Sequence, residues 1–125
     1  FLTNSDKILL LKRSQKVKSM KNLWAGISGI IEGNEQPLER AKIEVYEEVG
    51  IKESNIELIK EGKIILIESP QYENHQWEVY PFFLSCNNIE IKLNWENSES
   101  KWINVNELNE FKTVPSLDRV LTRLF

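Results

Sequence analysis

Glu44, Glu47 and Glu48 stand at i, i+3 and i+4 in a segment that reads as helix. At about 100° per residue their carboxylates share a stripe spanning roughly one third of the circumference. Like charges at that spacing repel, and the stripe lies toward the helix C-terminus, where the macrodipole already disfavours negative charge. A solvated acidic face would account for these residues. A sequence that accepts both penalties more usefully has a positive object to hold, and hard carboxylate oxygens suit Mg²⁺ or Mn²⁺ together with substrate phosphates. Other chemistries lack their parts. His75 is the single histidine, so neither a histidine metal cluster nor a Ser-His-Asp triad can be built, and Cys86 alone makes no thiolate site or internal disulfide.

The elements that must position this stripe follow from local pattern. Pro37 opens the helix at a position where its missing N–H costs nothing, and Gly50 stops it after Val49. Leu38, Ala41, Val45 and Val49 form an apolar face that seats it on a sheet. The run Lys7 to Arg13 reads as a buried strand, Ser14 to Lys21 as a polar loop, and Leu23 to Ile31 as an irregular strand and turn. Ile56 to Glu68 and Gln76 to Ser85 read as two strands of one sheet, separated at Pro70 and the polar residues after it. Lys101 to Val105 reads as a short strand. Pro115 starts a terminal helix, Ser116 to Phe125, with Leu117, Val120, Leu121 and Leu124 on one face. The expectation is one α+β domain over residues 1–125. Phe1-Leu2 resembles the end of an apolar strand, as if the natural beginning were missing, which leaves open that the chain is a fragment of something longer.

The glutamates sit in a longer pattern: Gly29, then Glu35, then Glu44-Val45-Tyr46-Glu47-Glu48-Val49-Gly50-Ile51. This resembles the Nudix box, G-x5-E-x7-R-E-U-x-E-E-x-G-U, at every fixed position except the arginine, where the chain has Ile43. Ile27-Ser28 also stands where Pro-Gly is more usual in that family. Downstream, Trp102 and Asn106-Glu107-Leu108 look like the family's late strand and short helix, so the resemblance covers most of the chain.

The resemblance implies an α/β/α sandwich on a mixed sheet, with the box forming loop–helix–loop. It also implies hydrolysis of a diphosphate linkage in a nucleoside diphosphate derivative, by water attack at phosphorus. Glu44 and Glu48 would be the principal metal ligands, joined by Glu47 and the carbonyl of Gly29, while Glu35 would hold loop and helix in register. Arg40 falls between Glu44 and Glu47 on the helical wheel and is expected to replace the missing arginine as the group that orients the carboxylates. A further acid from outside the box would come from Glu96, with Glu99 the alternative. Trp24 and Arg13 are the candidates for contacting substrate, the first by stacking and the second through phosphate. The competing reading is a Nudix-like nucleotide-binding or regulatory module with weak turnover. Many relatives form dimers, so a homodimer is a further expectation.

Composition narrows the class. An apolar fraction of 41%, a charged fraction of 28% and a net charge of −3 describe an ordinary globular chain. That charge gives no general attraction to nucleic acid or to an acidic membrane. No apolar run approaches the roughly 20 residues that span a bilayer, and a lone cysteine fits a reducing compartment, so a cytoplasmic location is expected.

Overall fold

The computed structural model describes residues 1–69, 72–87 and 90–125. Its centre is strand β2 (Lys7–Arg13). Ile8, Leu9, Leu10 and Leu11 are all at most 1% exposed, so this strand is buried on both faces, which is why its apolar residues run on without alternation. Leu9 and Leu11 point to one side, where they pack with Val45 and Val49 of helix α1 (Pro37–Val49) and with Ile51. Ile8 and Leu10 point to the other, where they meet Leu117 and Leu121 of helix α2 (Leu117–Thr122). A sheet between two helices is the expected α/β/α sandwich.

The remaining strands are β1 (Leu2–Asn4), β3 (Trp24–Ala25), β4 (Ile56–Glu61), β5 (Ile65–Glu68), β6 (Gln76–Val79), β7 (Phe82–Cys86) and β8 (Asn97–Ile103). The sheet is mixed. β1 runs parallel to β7, with Leu2 opposite Leu84, and the other pairings are antiparallel. Ile8 pairs with both Thr3 and Ile103, and Leu11 with both Ala25 and Ser100. Since a strand has only two edges, β8 takes one edge of β2 while β1 and β3 share the other.

Helix α1 has the expected bounds. Pro37 sits in its first turn, and Gly50 adopts φ 76°, the left-handed conformation that lets its N–H bond back to the Tyr46 carbonyl at 3.0 Å. Three expectations need correction. The runs 56–68 and 76–85 are not two continuous strands of one sheet: β4 pairs with β7 in the main sheet, whereas β5 and β6 form a separate two-stranded ribbon. The break falls at Gly62 and Pro81, where the Gly62 N–H meets the Pro81 carbonyl and Pro81 has no N–H with which to continue the ladder. Pro70, the expected separator, lies outside the described residues. The late strand begins at Asn97 rather than Lys101 and ends before Val105, which opens a 3₁₀ turn, Val105–Glu110. Pairing with β2 overrides the weak strand propensity of Asn, Ser and Glu. The terminal helix is shorter than expected, because Ser116 takes φ 69° and cannot belong to it. Leu117, Leu121 and Leu124 are buried while Val120 is only partly so. Among the described residues no helix is long and apolar enough to cross a membrane.

Seating α1 depends on one side of β2. Leu9→Ala should therefore lower the unfolding free energy by about 2–5 kcal/mol in urea titrations, while Leu66→Ala, at a position 54% exposed, should change it by less than about 0.5 kcal/mol. Equal effects would refute this account of the core.

Candidate active site

Burying Val45 and Val49 on the sheet carries their neighbours Glu44 and Glu48 down with them. Glu44 is 8% exposed and Glu48 5%, whereas Glu47 lies at the surface. The acidic stripe is therefore split into two sunken carboxylates and one solvated one. Room for the first comes from Gly29: a Cβ on that residue would fall inside the Glu44 carboxyl group, so any side chain there would displace it.

Each sunken carboxylate has its own holder. Arg40 Nη1 donates to Glu44 Oε1 at 3.2 Å, and the same guanidinium donates through Nε and Nη2 to the two oxygens of Glu35, at 3.0 and 2.5 Å. This bidentate fork ties the loop before the helix to the helix itself. The Glu32 N–H completes the Glu35 anchor at 2.8 Å. Ile43 is 40% exposed, whereas Glu44 beside it is buried. Glu48 is held without a cation. Asn97 Nδ2 donates to its Oε1 at 3.1 Å, and the Ser28 N–H donates to its Oε2 at 3.2 Å. The backbone N–H thus supplies a contact that does not depend on the side chain at position 28.

These surroundings set the charge balance. Burial first, then the nearby charges of Glu96 and Glu44, push the Glu48 carboxyl up to about 8, against the hydrogen bonds from Asn97 and Ser28. Glu44 is raised by burial, opposed by its bond from Arg40, and raised further by the charges of Glu47 and Glu96. Glu35 is lowered by its hydrogen bonds from Arg40 and from the Glu32 N–H.

Glu96 belongs to this group, since its charge acts on both buried carboxylates. Its loop is shaped by Asn94, whose side chain donates to Glu96 Oε1 at 3.1 Å and accepts the Glu96 N–H at 3.0 Å. The loop is docked by Ser14, which donates from Oγ to the Trp95 carbonyl and from N–H to that of Glu96. Glu99 is elsewhere: it pairs with Lys12 at 3.2 Å, opposite it in the β2–β8 ladder and on the side of Leu10. Arg13 falls on the α1 side, with Nε and Nη2 donating to the Ser19 carbonyl. Trp24 requires correction as a pocket residue. Paired with Lys12, it turns to the α2 side and packs edge-on against Phe111 in that core, away from the carboxylates. Asn97 escaped the sequence reading. Its only signal there is a polar residue beside Glu96.

The donor set fits a divalent cation by its chemistry. Among the described residues no three acidic, histidine or cysteine side chains already converge as a closed cage. Mg²⁺ does not need one, because it is usually held through one or two carboxylates with water and phosphate completing the shell. Two carboxyls driven toward their neutral forms by burial and by neighbouring acids are a site whose cost such an ion would relieve.

The raised carboxyl also has a thermodynamic consequence in the metal-free protein. Between about pH 4.5 and 8 the folded state holds a proton on Glu48 that the unfolded chain has lost. Stability in EDTA should therefore fall as pH rises through that window, with a limiting slope of about 1.4 kcal/mol per pH unit. Glu44 adds to the same sign. Urea titrations from pH 5 to 8 should show the slope in wild type and its reduction in Glu48→Gln. Parallel profiles would show that Glu48 is not the group responsible.

Comparison with known proteins agrees with this geometry. The NUDIX domain family model matches residues 1–125. The RNA pyrophosphohydrolase of Pelagibacter ubique (strain HTCC1062) is 30% identical over 123 residues, covering 87% of this chain and 75% of that protein. Among solved structures, an Ap4A hydrolase binary complex from C. elegans superposes with TM-score 0.75 at 18% identity, covering 94% of this chain and 82% of that one. The Nudix hydrolase RenU from M. smegmatis gives TM-score 0.77 at 15% identity, covering 94% and 71%. With its box folded as loop, helix and loop around two buried glutamates, the chain belongs to the Nudix hydrolase family.

Proposed function

We propose that this chain is a divalent-metal-dependent pyrophosphohydrolase that cleaves a diphosphate linkage in a nucleotide derivative, with water attacking phosphorus. The observation that carries the reading is the pair of sunken carboxylates, Glu44 over Gly29 and Glu48 between Ser28 and Asn97, both pushed toward protonation. Glu44, Glu48, Glu47 and the Gly29 carbonyl would hold Mg²⁺ or Mn²⁺. Such an ion would supply positive charge against the diphosphate and make water at the site more acidic.

The chain's own groups do the rest. Arg40 keeps Glu44 in place while Glu35 anchors Arg40, a division of labour that makes an arginine at position 43 dispensable. Glu96 sits beside both buried carboxylates on a partly exposed loop, and accepts the proton of the attacking water. Arg13, on the same side of the sheet, has Nη1 to offer a phosphate oxygen while Nε and Nη2 stay on Ser19. The names of the relatives, an RNA pyrophosphohydrolase and an Ap4A hydrolase, point to two substrate classes, RNA carrying a pyrophosphate group and Ap4A. Both present the same diphosphate group to the carboxylates.

The test is phosphate or pyrophosphate release from a 5′-triphosphorylated RNA oligonucleotide, diadenosine tetraphosphate, ADP-ribose and nucleoside triphosphates, with Mg²⁺, Mn²⁺ or EDTA. Turnover should require metal. Glu48→Gln should lower kcat/KM by more than about 100-fold, and Arg40→Ala by about 10- to 100-fold, as for groups that orient metal ligands. Nucleotide binding without turnover, unaffected by Glu48→Gln, would instead indicate a binding module. An Arg40→Ala variant with unchanged kcat/KM would remove Arg40 from the mechanism.

A further inference from the structure

We propose that Asn97 is a positioning residue: a bulge in β8 turns its side-chain amide onto Glu48 and fixes that carboxylate in one orientation for metal capture. The inference rests on the metal-dependent reading above.

The register supplies the first part of the argument. Trp102 packs on the α1 side of the sheet and Ile103 on the α2 side. Regular alternation from there places Ser100 on the α1 side and Glu99 on the α2 side, in agreement with their partners Leu11 and Lys12. Continued without interruption, it would put Ser98 on the α1 side and Asn97 on the α2 side. The ladder does not continue in that way, because the next residue of β2, Arg13, pairs with Asn97 and skips Ser98. One extra residue reverses the side to which Asn97 points, which is what a bulge does next to a working site. Asn97 is then 7% exposed and bonds Glu48 Oε1 at 3.1 Å, 49 residues away in sequence.

Charge supplies the second part. One oxygen of Glu48 accepts from the Asn97 side chain on β8 and the other from the Ser28 backbone N–H, so the carboxyl plane is set by two neutral donors and no cation. Lysine or arginine at position 97 would cancel the charge that a cation must find. Aspartate would add repulsion and remove the donor. The amide is the group that orients without neutralising, in contrast to Arg40 on Glu44.

The experiment measures Mn²⁺ binding to the whole chain, without substrate, from the EPR signal of free Mn²⁺. Asn97→Leu keeps the size and deletes the donor. Its Kd for Mn²⁺ should rise about 10- to 100-fold, as is usual when a hydrogen bond to a metal ligand is lost. Asn97→His, assayed at pH 8, carries Nδ1 where the amide nitrogen was and should recover most of the affinity. In steady-state assays the Leu variant should need more Mn²⁺ for half-maximal rate, a change that a general loss of folding would not confine to metal dependence. A folded Leu variant with wild-type Kd overturns the proposal. Should that variant not fold, the wild-type protein decides: the Asn97 side-chain ¹⁵N amide signal must move as Mg²⁺ saturates, and a stationary signal overturns the proposal. Wild type that binds no Mn²⁺ would overturn the metal reading itself, and the Asn97 proposal with it.

Discussion

Everything at this site depends on placing the Glu48 carboxylate out of water without giving it a counter-charge. Helix α1 is fastened to the sheet through Val45 and Val49, both at most 2% exposed, and Glu48 lies between them and the loop of Ser28. The free energy that seats the valines also forces the desolvation of the carboxylate. Two neutral N–H donors satisfy its hydrogen bonds but only partly offset the cost, so the acid is pushed up to about 8. The apolar face of the helix and its acidic stripe are therefore one construction. The first stores the energy that the second spends.

The two buried glutamates are held differently, one by a cation and one by neutral donors. Glu44 shares the Arg40 guanidinium with Glu35, so a single cation serves the loop, the helix and one carboxylate. An arginine one turn earlier reaches the same carboxylate from the N-terminal side, because side chains on a helix lean toward its N-terminus and positions 40 and 44 stack on one face. Ile43, 40% exposed, is then free of any electrostatic duty. At the altered Ile27-Ser28 entry, too, the contact with Glu48 comes from the Ser28 backbone N–H and not from a side chain.

Much of this was legible in the sequence. The helix bounds, the double burial of β2, the stripe of Glu44, Glu47 and Glu48, and the alignment of Arg40 with it all follow from local rules of period, capping and spacing. What was not legible depends on partners distant in sequence. The splitting of the middle strands at Gly62 and Pro81 is set where the two runs meet, and neither run alone reveals it. Trp24 reads as a pocket aromatic until its pairing with Lys12 fixes its direction toward Phe111. Glu96 and Glu99 are equivalent acids by composition, and only the β2–β8 register separates them.

Asn97 is the sharpest case, because period-2 alternation predicts the wrong face for it. A bulge leaves no reliable mark in a stretch as polar as Asn94 to Lys101, where apolar residues are too few to show the phase of the strand. Yet the bulge is consistent with what surrounds it. The loop that carries Glu96 must approach α1, and Ser14 pins it there through the carbonyls of Trp95 and Glu96. With those carbonyls fixed and Trp102 committed to the α1-side core, the intervening residues cannot satisfy both ends in regular alternation. One residue has to be extra, and Ser98, whose hydroxyl bonds the Lys12 carbonyl at 3.5 Å, takes that place. The irregularity in the sheet is thus the geometric consequence of anchoring an acidic loop at one end and a core tryptophan at the other, and the orientation of Asn97 toward Glu48 is its result.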